Sequence, residues 1–221
     1  MRAEQGLPAT VLVLHGMGRS PRSMAPLAQD LSNAGYRVRN LGYPTRGYDV
    51  AELTARYLAP AIAACDASSP VHLVTHSLGS ILTRCYLQRA NLPPDSRVVM
   101  MAPPNQGSEV ADHVRGWWLY RLLTGRVGQQ LGTGPDSIVH SLKPVDAEIG
   151  VIAADRSLQP WFSRLFRGPN DGAVAVAKTR LPEMRDFVVV HSTHTLMMFN
   201  PKVRQQVLHF LAHGRFDHTQ R

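Results

Sequence analysis

Three side chains that together can activate a hydroxyl occur in this chain: Ser77, Asp171 and His194, in that order. A serine hydroxyl is a weak nucleophile until an imidazole takes its proton. A carboxylate behind the imidazole fixes its tautomer and stabilises the cation that forms. Ser77 lies in Val71-His72-Leu73-Val74-Thr75-His76-Ser77-Leu78-Gly79-Ser80. There an apolar run turns abruptly into residues at helical spacing, with a glycine two places after the serine. Such a turn lifts the hydroxyl clear of the backbone, and the helix N-terminus behind it offers N–H groups to an oxyanion. Each residue also has a plainer reading. Ser77 could be only a helix N-cap, Asp171 a turn former in Asn170-Asp171-Gly172, and His194 a satisfied structural histidine. His191-x-x-His194 has the look of a metal pair, but no further ligand cluster of recognised spacing accompanies it.

These residues need a frame that brings them together. Thr10–Leu14, Tyr36–Leu41, the short apolar run that starts at Val71 and holds Leu73 and Val74, Arg97–Met101, Ile149–Ala154 and Phe187–Val190 read as six strands. Between them, helices are expected from Ser20-Pro21 to about Asn33, from Asp49 to about Cys65, and from about Leu78 to Arg89. A last helix runs from about Pro201 to Gly214. Asp49 with Glu52 three residues on has the form of a capping box. Residues 102–147 break the rhythm, with Pro103-Pro104, a helix expected through Val110 to Leu123, and a glycine-rich stretch. Alternating strands and helices predict a mostly parallel sheet with helices on both faces. In such sheets ligands collect beyond the carboxyl ends of the strands. His15-Gly16-Met17-Gly18, Ser77, Asp171 and His194 all follow strands.

At 221 residues the chain fits one domain over 1–221, with 102–147 as a candidate lid or cap insertion. Its 44% hydrophobic content excludes disorder as the main description. No apolar run is long enough to span a membrane, and Met1 to Pro8 has no signal-peptide character, so a cytoplasmic location is expected. Two cysteines, Cys65 and Cys85, each on an expected helix, read as buried reduced thiols rather than a disulfide framework. The net charge of +8 is spread over scattered arginines with no basic stripe. Nucleic acid is therefore not expected as a partner, while weak attraction to an anionic membrane stays open.

Taken together, the strand ending in His15-Gly16-Met17-Gly18, the turn His76-Ser77-Leu78-Gly79 and Asn170-Asp171-Gly172-Ala173-Val174 resemble the α/β-hydrolase superfamily. Within it they are most similar to small bacterial lipase- and esterase-like proteins. Thr75 departs from the Gly-x-Ser-x-Gly consensus, standing where the first glycine belongs. The resemblance spans roughly Val11 to Phe210.

That resemblance implies an α/β-hydrolase fold and a serine esterase or lipase. Ser77 would attack an ester or lipid carbonyl, His194 would take its proton, and Asp171 would orient the imidazole. The backbone N–H groups of Met17 and Leu78 would form the oxyanion hole, and no cofactor or metal would be needed. Asp155, closer to the fifth strand, is a rival to Asp171 as the acid. His15 is expected to brace its loop rather than act as the base. Trp117 and Trp118 are either ordinary helix packing or an acyl-binding wall or lid. An acyltransferase, a thioesterase and a non-catalytic binding protein remain alternatives on the same fold. The sequence leaves the oligomeric state and the acyl and alcohol preferences open.

Overall fold

A computed structural model describes residues 9–114, 125–135, 137–158 and 166–219. Six strands, β1 (Thr10–Leu14), β2 (Arg37–Leu41), β3 (Val71–His76), β4 (Arg97–Met101), β5 (Glu148–Ala154) and β6 (Asp186–Val190), form one sheet in the order β2-β1-β3-β4-β5-β6. Every neighbouring pair is parallel. The chain leaves β1 toward β2 on one side and returns as β3 on the other. The carboxyl ends of β1 and β3 therefore meet, with Leu14 opposite Thr75, at the switch point where open α/β sheets form a ligand crevice.

The central strands are apolar on both faces because each face is covered by helices. On one face Leu12, Leu14, Leu73, Val98 and Val151 pack with Leu53, Leu58, Ile62, Ile81 and Leu82. Those residues come from α2 (Val50–Leu53), α3 (Ala59–Ala63), α4 (Leu78–Leu87) and the segment linking α2 to α3. On the other face Val11, Val13, Val74, Val99 and Ile152 pack with Leu27 and Leu31 of α1 (Ala25–Asn33), and with Val203, Val207 and Phe210.

Within the described residues the expected strands and helices form, with informative differences; beyond Val114 the helix expected through Val110 to Leu123 lies outside the described residues. The Asp49 capping box is present: Glu52 N donates to Asp49 Oδ1 at 2.8 Å, and Asp49 N donates to Glu52 Oε2 at 2.9 Å. The helix it opens is not uniform, because a π-helical stretch, Thr54–Leu58, joins α2 to α3. Pro60, in the first turn of α3, has no N–H to give and disrupts the regular ladder there. Ser20 does not cap with its side chain; Pro21–Met24 forms a 3₁₀ turn before α1 begins. Cys85 is a buried free thiol on α4. Cys65 corrects the expectation: it lies past α3, half-buried, with its Sγ donating to Ala61 O at 3.2 Å.

Between β4 and β5 lie α5 (Glu109–Val114) and α6 (Ile138–Ser141). Buried Arg84 of α4 ties this insertion to the sheet, donating to Asn105 O at 3.0 Å and Leu142 O at 3.1 Å. The Asn105 side chain donates to Thr179 O at 2.7 Å. Trp117 and Trp118 lie outside the described residues, as do Trp161 and Phe162. The final helix, α7 (Pro201–His213), is capped by Asn200 and ends at Gly214 in the left-handed region (φ 68°), where glycine carries no steric cost. No helix among the described residues is long and apolar enough to cross a membrane.

Candidate active site

Ser77 follows β3 directly and precedes α4, with φ 50° and ψ −113°. A non-glycine residue at positive φ is strained by roughly 1–3 kcal/mol and persists only where its surroundings hold it. Here Ser77 N donates to Met101 O at 2.9 Å, and Ser80 N donates to Ser77 O at 3.0 Å. The turn also demands close approach. A Cβ on Gly79 would lie 2.8 Å from Leu14 Cβ, and one on Gly16 would lie 2.7 Å from His76 Nδ1. Ser77 does not act as a side-chain N-cap; its hydroxyl is used elsewhere.

Ser77 Oγ lies 3.1 Å from His194 Nε2, and His194 Nδ1 lies 2.8 Å from Asp171 Oδ2. A carboxylate only accepts, so Nδ1 carries the proton. In the neutral ring Nε2 is then an acceptor, and the serine hydroxyl donates to it. Asp171 is 2% exposed, and a buried carboxylate needs its lone pairs filled. Its other oxygen accepts from Ala173 N at 2.9 Å and Val174 N at 2.7 Å. His194 N also donates to Asp171 O at 3.1 Å. Asn170-Asp171-Gly172 thus forms the turn its sequence suggests, and that turn aims the carboxylate at His194.

Asp155 is engaged elsewhere. Its Oδ1 accepts from His191 Nδ1 at 3.0 Å, and that imidazole is largely exposed. The sheet thus ends in two separate His–Asp pairs, and only His194 reaches the serine. Among the described residues no group of three or more His, Cys, Asp or Glu side chains could hold a metal ion.

Met17 and Leu78 both lie beside Ser77. Leu78 opens α4, where the first N–H groups have no intrahelical acceptor. Met17 lines a cavity of about 120 Å³ together with Ser77, His194, Ala111, Leu131 and Val174. A second cavity of about 250 Å³, lined by Val110, Leu158, Ala173 and Thr193, shares Val110, Ala173 and His194 with the first.

His15 is fully buried and braces its loop, as expected. Its Nδ1 donates to Gly16 O at 2.9 Å, and its ring stacks on Tyr43 at 4.2 Å. The Tyr43 hydroxyl donates to His15 O. Burial holds the His15 pKa below the usual imidazole value. Sequence reasoning missed His76. Its Nε2 donates to the backbone carbonyl of His194 at 2.9 Å, and burial and then the neighbouring His194 push its pKa well down. The available signal was strand alternation. His76 is two places after Val74, so it faces the same side as the segment carrying His194, and a buried imidazole there needs a partner.

A model of the alpha/beta hydrolase family matches residues 11–194. No curated protein matches the sequence. Among solved structures, the mature lipase of Bacillus licheniformis is similar with a TM-score of 0.69 and 19% identity, over 96% of this chain and 94% of that one. A metagenomic carboxyl esterase is similar with a TM-score of 0.68 and 16% identity, over 88% and 66%. A type II thioesterase of the yersiniabactin pathway is similar with a TM-score of 0.62 and 16% identity, over 98% of each chain.

Proposed function

The chain belongs to the alpha/beta hydrolase family, and on that premise we propose that it is a serine hydrolase cleaving carboxylic esters. The observation that carries this reading is the unbroken hydrogen-bonded line from the Ser77 hydroxyl through His194 to Asp171. Ser77 is the nucleophile, His194 the general base and Asp171 the group that orients it. As the Ser77 oxygen bonds to the carbonyl carbon, its proton passes to His194 Nε2, and the carbonyl π electrons move onto oxygen. The N–H groups of Leu78 and Met17 receive that oxyanion. Collapse breaks the bond to the alkoxy group, which takes the proton from Nε2 and leaves. Water repeats the sequence and frees the acid.

The apolar cavity beneath Ser77 suits the acyl group. It measures about 120 Å³ and shares Val110, Ala173 and His194 with the cavity of about 250 Å³ beside it, so the two together offer room for an acyl chain. A fluorophosphonate probe followed by peptide mapping tests the nucleophile without knowledge of the substrate. Labelling at Ser77, abolished in Ser77→Ala, is the expected result. The variant should also lose ester cleavage by several orders of magnitude. Labelling elsewhere, or full turnover by Ser77→Ala, would sink the reading.

A further inference from the structure

We propose that the cleft above the carboxyl ends of β1 and β2 is a subsite for a phosphate carried on the alcohol part of the ester. This rests on the esterase reading above. The cleft measures about 510 Å³ and is lined by Gly18, Arg19, Tyr43, Pro44, Thr45 and Arg46. It lies one residue along the chain from the reaction centre: Gly18 lines the cleft, and Met17 before it lines the cavity at Ser77. Gly18 N donates to Thr45 Oγ1 at 3.0 Å, clipping the two loops together. A hydroxyl that has accepted keeps its own O–H to donate. The stacked His15–Tyr43 pair stiffens the floor.

The charge in this cleft is all of one sign. Arg19 and Arg46 both line it, and no carboxylate does. Among the described residues, Arg97, Arg126, Arg185 and Arg204 lie within 4.0 Å of carboxylates. Among the described residues no such ion pair is formed by Arg19 or Arg46. The charge of Arg19 reaches the elbow, where it disfavours a proton on His76. Two forked guanidinium groups and a hydroxyl lining one cleft match the several acceptor oxygens of a phosphate. The cavity beneath Ser77 carries no basic side chain other than His194. It suits the acyl arm, which leaves the charged cleft to the other arm of the substrate.

The test compares monobutyrylglycerol with its phosphate monoester, both monomeric in water, using the full chain and Arg19→Gln/Arg46→Gln. The subsite predicts a kcat/KM about tenfold or more higher for the phosphorylated ester, the scale of a charge-assisted hydrogen bond. That ratio should fall to about one in the double variant. A ratio near one in the wild type for both the monomeric pair and its vesicle-borne counterpart, or a ratio that survives in the double variant, overturns the proposal. Long-chain versions of the same pair in vesicles identify the source of the phosphate. A preference in both forms assigns it to a soluble ester, and a preference confined to vesicles assigns it to a lipid headgroup. Either supports the subsite when the variant loses it. If neither ester is cleaved, a phosphorus NMR titration with glycerol phosphate at fixed ionic strength decides. Saturable binding that the double variant lacks supports the subsite, and its absence overturns it. Failure of fluorophosphonate labelling at Ser77 strikes the esterase reading alone, because the titration needs no nucleophile.

Discussion

His76, the residue before the proposed nucleophile, donates its Nε2–H to the backbone carbonyl of His194, the proposed base, at 2.9 Å. Ser77 and His194 are thereby tied through a third side chain that lies outside the Ser77–His194–Asp171 line. The bond crosses from the end of β3 to the loop after β6, and the two rings lie 4.9 Å apart.

His76 is thus a positioning residue. His76→Leu should lower kcat about 10- to 100-fold with little change in KM, because small misplacement of a base costs rate more than binding. His76→Gln, whose side-chain amide can donate to the same carbonyl, should recover much of the loss. Equal kcat for all three proteins would show that the bond has no bearing on rate.

The two His–Asp pairs make separable predictions. Asp171→Asn should lower kcat by about 10⁴-fold by favouring the wrong imidazole tautomer. Asp155→Asn loses only an exposed pair with His191, and should stay within about twofold of wild type, since such pairs contribute little. Steady-state kinetics on one chromogenic ester compares them. A larger loss in the Asp155 variant would reassign the acid.

Thr75 stands where the elbow consensus has glycine, and its hydroxyl does structural work. Oγ1 lies 2.8 Å from Ser80 Oγ and 3.3 Å from Val99 O, fully buried. Restoring the consensus with Thr75→Gly should therefore destabilise the fold by roughly 1–3 kcal/mol, from a lost hydrogen bond, a small void and greater chain entropy. Gly79→Ala should cost a similar roughly 1–3 kcal/mol by overpacking against Leu14. Urea unfolding midpoints report both, and an unchanged midpoint in either would contradict the packing described.

Stability should fall as the solution is acidified from neutral pH. His72 has its pKa pushed down to about 4 by burial and the charge of Arg97, and its Nδ1 accepts from Arg97 N at 3.0 Å. His15 and His76 are lowered too, mainly by burial. Below about pH 6.5 the unfolded chain takes up protons that the native protein refuses, so the balance shifts toward unfolding. His72 alone contributes on the order of 3 kcal/mol of loss by about pH 4. The urea midpoint at pH 5 should lie below that at pH 7, and His72→Asn should narrow the gap.

The sequence by itself determined what depends on neighbours along the chain. The strand and helix alternation, the Asp49 capping box, the Gly214 helix end and the strand-to-helix turn at Ser77 were legible because periodicity and capping act over a few residues. Pro60's effect on the helix before it was equally local, yet was read past because the apolar spacing runs straight through it. Only the tertiary structure decided which of Asp155 and Asp171 meets His194, what His76 holds, and that Arg19 and Arg46 share one cleft. Those are contacts between segments brought together by the strand order β2-β1-β3-β4-β5-β6. Asp171 reaches His194 because the turn hydrogen bonds from Ala173 and Val174 aim its carboxylate across the sheet end. Asp155, nearer to the strand, is caught by His191. Spacing along the chain cannot specify such a choice, because it is made by the direction in which a folded loop points a side chain.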